Sequence, residues 1–219
     1  MTTSDASWSA RFRLIGDLER QDHYYLTEAD QCLFLGEYTS HVGYAHSTTN
    51  QIIFNLKKKP STRHTSQWVH KERDIERVAN AMKAAINPAA LPDLTFVPIP
   101  PSNLPADAEY DDRMLRIARL ISPLGTHELI RAIVMRTARH SRDAKRDPQE
   151  LRATLQIDEA QTTPQPTHIF LIDDVITTGC SFMVCKQMLL ERFPGVKVTG
   201  MFVARRALPS ASAIFTALN

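Results

Sequence analysis

The residue types that do chemistry concentrate in one stretch, Ile169-Phe170-Leu171-Ile172-Asp173-Asp174-Val175-Ile176-Thr177-Thr178-Gly179-Cys180-Ser181. Four apolar residues fit a buried strand, two carboxylates stand at its carboxyl end, and small hydroxyl residues with a glycine lead into a helix. Open parallel sheets bind ligands beyond the carboxyl ends of their strands. A helix amino terminus placed there presents unpaired N–H groups and the positive end of a dipole, which suit phosphate. Thr177, Thr178 and Ser181 add hydroxyl donors, and Gly179 lets the backbone curl around an anion without a Cβ in the way. The acids would repel phosphate. They suit another part of the ligand, such as a sugar diol, or a divalent cation reached through water.

Other readings of the stretch compete. A Walker-B strand shares the four apolar residues and the acid, but it needs a partner GxxxxGK[ST] loop. The seven glycines, at 16, 36, 43, 125, 179, 195 and 200, form none. A metal-dependent phosphatase would set its nucleophilic aspartate beside glycine and threonine in another order. A plain strand–turn–helix with incidental acids is the structural alternative.

The elements that must position these residues follow from hydrophobic spacing. Residues 94–99 (LTFVPI) form an apolar run closed by prolines, as in a buried strand. Met114, Ile117, Ala118 and Ile121 mark one helix face, stopped by Pro123. Residues 129–135 (LIRAIVM), 168–173 (HIFLID) and 196–204 (VKVTGMFVA) predict three more strands. A helix over about 181–193 turns Phe182, Cys185, Met188 and Leu189 inward. Strands separated by single helices favour an α/β fold with a parallel sheet flanked by helices. Upstream, Ile75, Val78, Ala79, Met82 and Ile86 predict another helix, ended by Asn87-Pro88. Residues 1–90 are mixed and polar and are expected as an accessory region, with 91–219 as the core.

Composition excludes several classes. The 219 residues suffice to bury roughly 70% of the unfolded surface without a disulfide or metal staple. Twenty-six Lys+Arg against 24 Asp+Glu give a net charge of +2, too balanced to imply a nucleic-acid binder. Cys32, Cys180 and Cys185 include no CxxC pair, and their odd number fits a reducing compartment. No apolar run reaches the ~18 residues of a membrane span, and the charged start lacks a signal peptide's apolar stretch. A soluble cytoplasmic protein is expected, with no membrane partner.

The thirteen residues from Ile169 to Ser181 resemble the phosphoribosyl-pyrophosphate (PRPP) signature of type I phosphoribosyltransferases: four apolar residues, two acids, then T-T-G-x-T/S. Within that superfamily the chain is similar to the ComF-like branch. Residues 96–103 (FVPIPPSN) stand in place of the pyrophosphate loop, residues 136–155 resemble the basic flexible segment, and 200–206 (GMFVARR) resemble the last strand. The four-cysteine zinc motif often found in that branch is absent, and Pro100-Pro101-Ser102-Asn103 replaces the basic residue or glycine many transferases carry.

The resemblance implies a type I phosphoribosyltransferase fold of about five parallel strands with a variable hood, and a ligand, PRPP, bound with Mg²⁺. It implies ribose contacts from Asp173 and Asp174, which would also hold the metal through water. The 5-phosphate falls to Thr177, Thr178, Gly179, Cys180 and Ser181, and the pyrophosphate to Pro101, Ser102, Asn103 and Arg113. A long connection over about 136–166 carries Arg136, Arg139 and Arg142, and connections of this length are often lids. Their guanidiniums match phosphate oxygens, which makes Arg136 and Arg139 the candidates to stabilise the leaving group. His140 is a candidate acid or base there.

The expected chemistry is transfer of the phosphoribosyl group to a nitrogenous acceptor, with release of pyrophosphate. The alternative is a non-catalytic PRPP- or nucleotide-binding module serving DNA uptake, regulation or defence. A homodimer, or a protein partner in a larger complex, is compatible with either. Direct nucleic-acid binding is not expected: neither basic segment, 57–77 or 136–152, resembles a known motif, and the second lacks an aromatic for base stacking. Lys57-Lys58-Lys59 reads as a solvated face.

Overall fold

The computed structural model describes residues 8–136 and 147–208. Strand β1 (Trp8–Leu14), a short helix α1 (Asp17–Arg20), β2 (Cys32–Thr39), α2 (Thr48–Leu56) and α3 (Trp68–Ala84) come first. There follow β3 (Leu94–Pro98), α4 (Arg113–Ile121), β4 (Ile130–Ala132), α5 (Pro148–Ala153) and β5 (Leu155–Ile157). The chain then forms β6 (His168–Ile176), α6 (Cys180–Arg192) and β7 (Lys197–Ala207).

The main sheet has the order β1-β2-β7-β6-β3. β2, β7, β6 and β3 are parallel, and β1 closes one edge antiparallel to β2. The fold is therefore α/β with a mixed, mostly parallel sheet. Its inner strands read as unbroken apolar runs because both faces are covered. Alternation along β6 sends Ile169 and Leu171 to one face, under Phe182, Met188 and Leu189 of α6. Phe170 and Ile172 go to the other face, under Ile52 and Leu56 of α2, Ile75, Val78 and Met82 of α3, and Ile117 of α4.

Three expectations need correction. The 129–135 run is no strand of the main sheet. Only Ile130–Ala132 is extended, paired antiparallel with β5 in a separate two-stranded sheet. The apolar end of that run is not core: Ile133, Val134 and Met135 are 46%, 53% and 52% exposed. Beside β3 the chain makes one parallel bridge, Phe96 with Thr126. Second, residues 8–90 are not set apart from the core. They supply β1 and β2 to the same sheet, and α2 and α3 cover one of its faces. Third, part of the long connection belongs to the core: Leu151 of α5 and Leu155 of β5 are buried under α6. Arg139, Arg142 and His140 lie outside the described residues.

Candidate functional site

β6 runs on to Ile176, so the two acids lie inside the strand rather than after it. Neighbouring strand residues point to opposite faces, and the twin acids separate accordingly. Asp173 is half-buried and faces a cavity of about 90 Å³ that it shares with Pro98, Pro101, Asn103, Tyr110 and Arg113. Asp174 is 5% exposed and fully engaged. One of its oxygens accepts from Arg113 Nη2 at 2.7 Å and Nε at 3.1 Å, with Lys57 Nζ at 3.6 Å. The other accepts from the Val175 N–H at 2.6 Å.

The chain of charges continues. Arg113 Nη1 donates to Asp111 at 2.6 Å, and Asp111 accepts from Lys71 at 2.7 Å. Lys71 is fully buried and also donates to the Lys58 carbonyl at 2.7 Å. Lys57, Asp174, Arg113, Asp111 and Lys71 thus alternate in sign and tie β6 to α4, α3 and the end of α2. Burying charge is tolerated here because each buried ion is paired and hydrogen-bonded, while Lys57 adds its charge from the half-exposed end of the chain.

The two acids titrate in opposite directions. Burial and then the adjacent Asp174 carboxylate push Asp173 above the ordinary carboxylate range. Burial alone would raise Asp174 too, but Lys57 and Arg113 outweigh it and hold Asp174 below that range. Burial lowers Lys71, with Asp111 opposing.

Past β6, Gly179 caps α6 with φ +86°, a left-handed conformation that favours glycine. Segment 23–26 packs against the carbonyl side of the turn. Tyr25 N–H donates to the Thr178 carbonyl at 3.0 Å, and His23 Nδ1 donates to the Thr177 carbonyl. Thr177 is exposed, Thr178 and Ser181 are half-buried, and Cys180 is buried. A Cβ on Gly179 would come within 3.0 Å of the Leu26 side chain. Gly179→Ala is therefore expected to cost about 1–3 kcal/mol in strain and overlap, read as a lowered melting temperature. Leu26→Ala removes a buried core side chain and is destabilising by itself, so the overlap shows as non-additivity: the double variant should lose less than the sum of the two single losses.

The remaining candidates divide. Pro101 and Asn103 line the cavity with Asp173. Arg136 Nη2 donates to the Pro100 and Pro101 carbonyls at 2.6 Å each, and its N–H donates to the Ser102 carbonyl at 2.9 Å. In this conformation Arg136 fastens the expected pyrophosphate loop, and Arg113 is held by two aspartates. The sequence assigns no site role to Lys57, Lys71, Asp111 or His23. Lys57 sits in a lysine run that looks like any solvated face.

No protein-family model matches this chain, and no curated protein matches its sequence. The donors expected to hold Mg²⁺ fit it unequally. Asp174 is committed to Arg113 and Lys57, which leaves Asp173 as the carboxylate facing the cavity. Mg²⁺ is commonly held by one or two carboxylates together with substrate phosphates, so Asp173 fits as one such ligand beside a phosphorylated substrate. Among the described residues, no three His, Cys, Asp or Glu gather into a metal cluster. No described helix is long and apolar enough to cross a membrane.

Proposed function

We propose that the chain binds PRPP in the manner of type I phosphoribosyltransferases of the ComF-like kind and transfers its phosphoribosyl group to a nitrogen nucleophile. One juxtaposition carries the reading. A glycine-capped helix amino terminus opens directly past an interior strand, and that strand's Asp173 faces a cavity a few residues upstream. Backbone N–H groups and the hydroxyls of Thr177, Thr178 and Ser181 take the 5-phosphate. Asp173 takes the ribose diol, while Asp174 orients Arg113 and stays with the protein. Mg²⁺, bound with the substrate, supplies Lewis-acid stabilisation of the pyrophosphate charge. The three cysteines, all buried and none of them in a disulfide, accord with a cytoplasmic setting.

A non-catalytic PRPP-binding module is favoured by a separate observation: Arg113 and Arg136 are already engaged, by aspartates and by backbone carbonyls. Neither is positioned here to receive a leaving pyrophosphate. Calorimetry of PRPP with Mg²⁺, paired with a pyrophosphate-release assay over candidate bases, separates the readings. Binding with release supports transfer, binding without release supports the module, and no binding removes both. Thr178→Ala with Ser181→Ala is expected to weaken PRPP by about tenfold or more, as loss of hydrogen bonds to a charged group does.

A further inference from the structure

Burying a polar ring that is only half hydrogen-bonded is unfavourable, so such a residue in a folded chain calls for a reason. His23 is one: it is fully buried, Nδ1 meets the Thr177 carbonyl, and Nε2 has no partner. A carbonyl can only accept, so the proton sits on Nδ1, and Nε2 of the neutral ring keeps a lone pair. Burial holds the ring below its usual range. Arg205 and Arg206 act the same way, while the Thr177 carbonyl and Asp22 oppose them. The single hydrogen bond of this ring is therefore spent on the turn that opens α6.

What that bond fixes follows from the peptide group. A trans peptide is planar, with its C=O and N–H on opposite sides. Holding the Thr177 carbonyl on the His23 side therefore aims the Thr178 N–H the other way. The next peptide is held likewise, since the Tyr25 N–H donates to the Thr178 carbonyl at 3.0 Å and so aims the Gly179 N–H. Among the described residues, neither the Thr178 nor the Gly179 N–H has a hydrogen-bond partner. Successive free N–H groups at a helix opening form a concavity that takes an anion. His23 is itself held in place: its N–H donates to the Arg20 carbonyl, and its carbonyl accepts from the Leu26 N–H, at 2.8 Å each.

We propose that His23 is a positioning residue of the Thr177–Ser181 turn: its Nδ1–H holds the Thr177 carbonyl back and so keeps the Thr178 N–H aimed at the phosphate. The inference rests on the PRPP reading for the identity of the anion. With an apolar side chain in place of His23 the Thr177 carbonyl faces no donor, and turning toward water satisfies it. The same rotation takes the Thr178 N–H off the phosphate. Tyr25 acts through its backbone, so of the two braces only His23 is open to substitution.

The test compares His23→Leu with His23→Asn in the full-length chain. Asparagine sets Nδ2 the same number of bonds from the backbone as the histidine Nδ1, so it keeps a donor where leucine has none. In calorimetry with PRPP and Mg²⁺, His23→Leu should bind about tenfold more weakly and His23→Asn within about twofold of the wild type. Without ligand, ¹⁵N relaxation dispersion at the Thr178 amide should show exchange in His23→Leu and none in His23→Asn or the wild type. Equal PRPP affinity in the two variants, or a Thr178 amide as quiet in His23→Leu as in the wild type, overturns the proposal. If His23→Leu fails to fold, the ring of the wild-type chain still decides: an Nε2–H tautomer in its ¹⁵N-histidine spectrum near neutral pH would leave Nδ1 no proton to donate and overturn it. A wild-type chain that does not bind PRPP removes the PRPP reading instead. The dispersion and tautomer measurements need no ligand and then decide the part of His23 alone, so the two failures are distinguishable.

Discussion

Asp174→Asn is expected to cost about 3–5 kcal/mol of stability, because it breaks a buried pair and leaves Arg113 partly uncompensated. For a chain of this size that is a fall of roughly 10 °C in melting temperature. Three contacts underlie the magnitude: two hydrogen bonds from Arg113 to one carboxylate oxygen and the Val175 N–H on the other. The sign with pH follows from the depressed carboxylate. Its stabilisation is present above the ordinary aspartate range and is lost only as pH falls through the lowered value. The gap between wild type and variant should therefore hold at neutral pH and close in strong acid. Asp174→Asn with Arg113→Met should melt higher than Asp174→Asn alone, since removing both partners spares the orphaned charge. If Asp174→Asn melts like the wild type yet loses PRPP, Asp174 is a ligand contact and its pairing with Arg113 is incidental.

Asp173→Asn should do the opposite: abolish measurable PRPP binding while leaving the fold as stable or more so. Asp173 faces the cavity, its one hydrogen bond among those described comes from the Asp174 N–H at 2.8 Å, and its carboxyl is pushed upward by burial and by Asp174. For a raised acid the contribution to stability is full below the unfolded-state value and is lost as pH rises through the folded-state value. Removing the charge should raise the melting temperature at pH 8 and change little near pH 4. Stability held down by a group that serves binding is the usual trade at a functional site. Equal melting curves at every pH, with PRPP affinity retained, would remove Asp173 from the site.

The difference between these neighbours marks what the sequence could and could not convey. The strand–turn–helix around Ile169–Ser181 was legible because both sheet faces are covered and the inner strand is apolar throughout. The face of α3 marked by Ile75, Val78 and Met82, and that of α6 marked by Phe182 and Met188, were legible from spacing alone. The separation of Asp173 from Asp174 was not, because Val175 and Ile176 extend the strand by pairing with Ala204 and Arg205 of β7, a partner 29 residues away. Pairing of β2 with β7 was likewise hidden, since it joins the two ends of the chain through register rather than pattern. Lys57 and Lys71 gained their meaning only when α2 and α3 brought them to Asp174 and Asp111. Solvated lysines in a basic run look the same on paper.

The most direct measurement is a crystal structure of the full chain grown with PRPP and Mg²⁺. The expected density places the 5-phosphate on the N–H groups that open α6 at Gly179, the ribose hydroxyls on Asp173, and Asp174 still paired with Arg113. A 5-phosphate bound away from the 177–181 turn, or a turn that stays empty while PRPP occupies another surface, would contradict it.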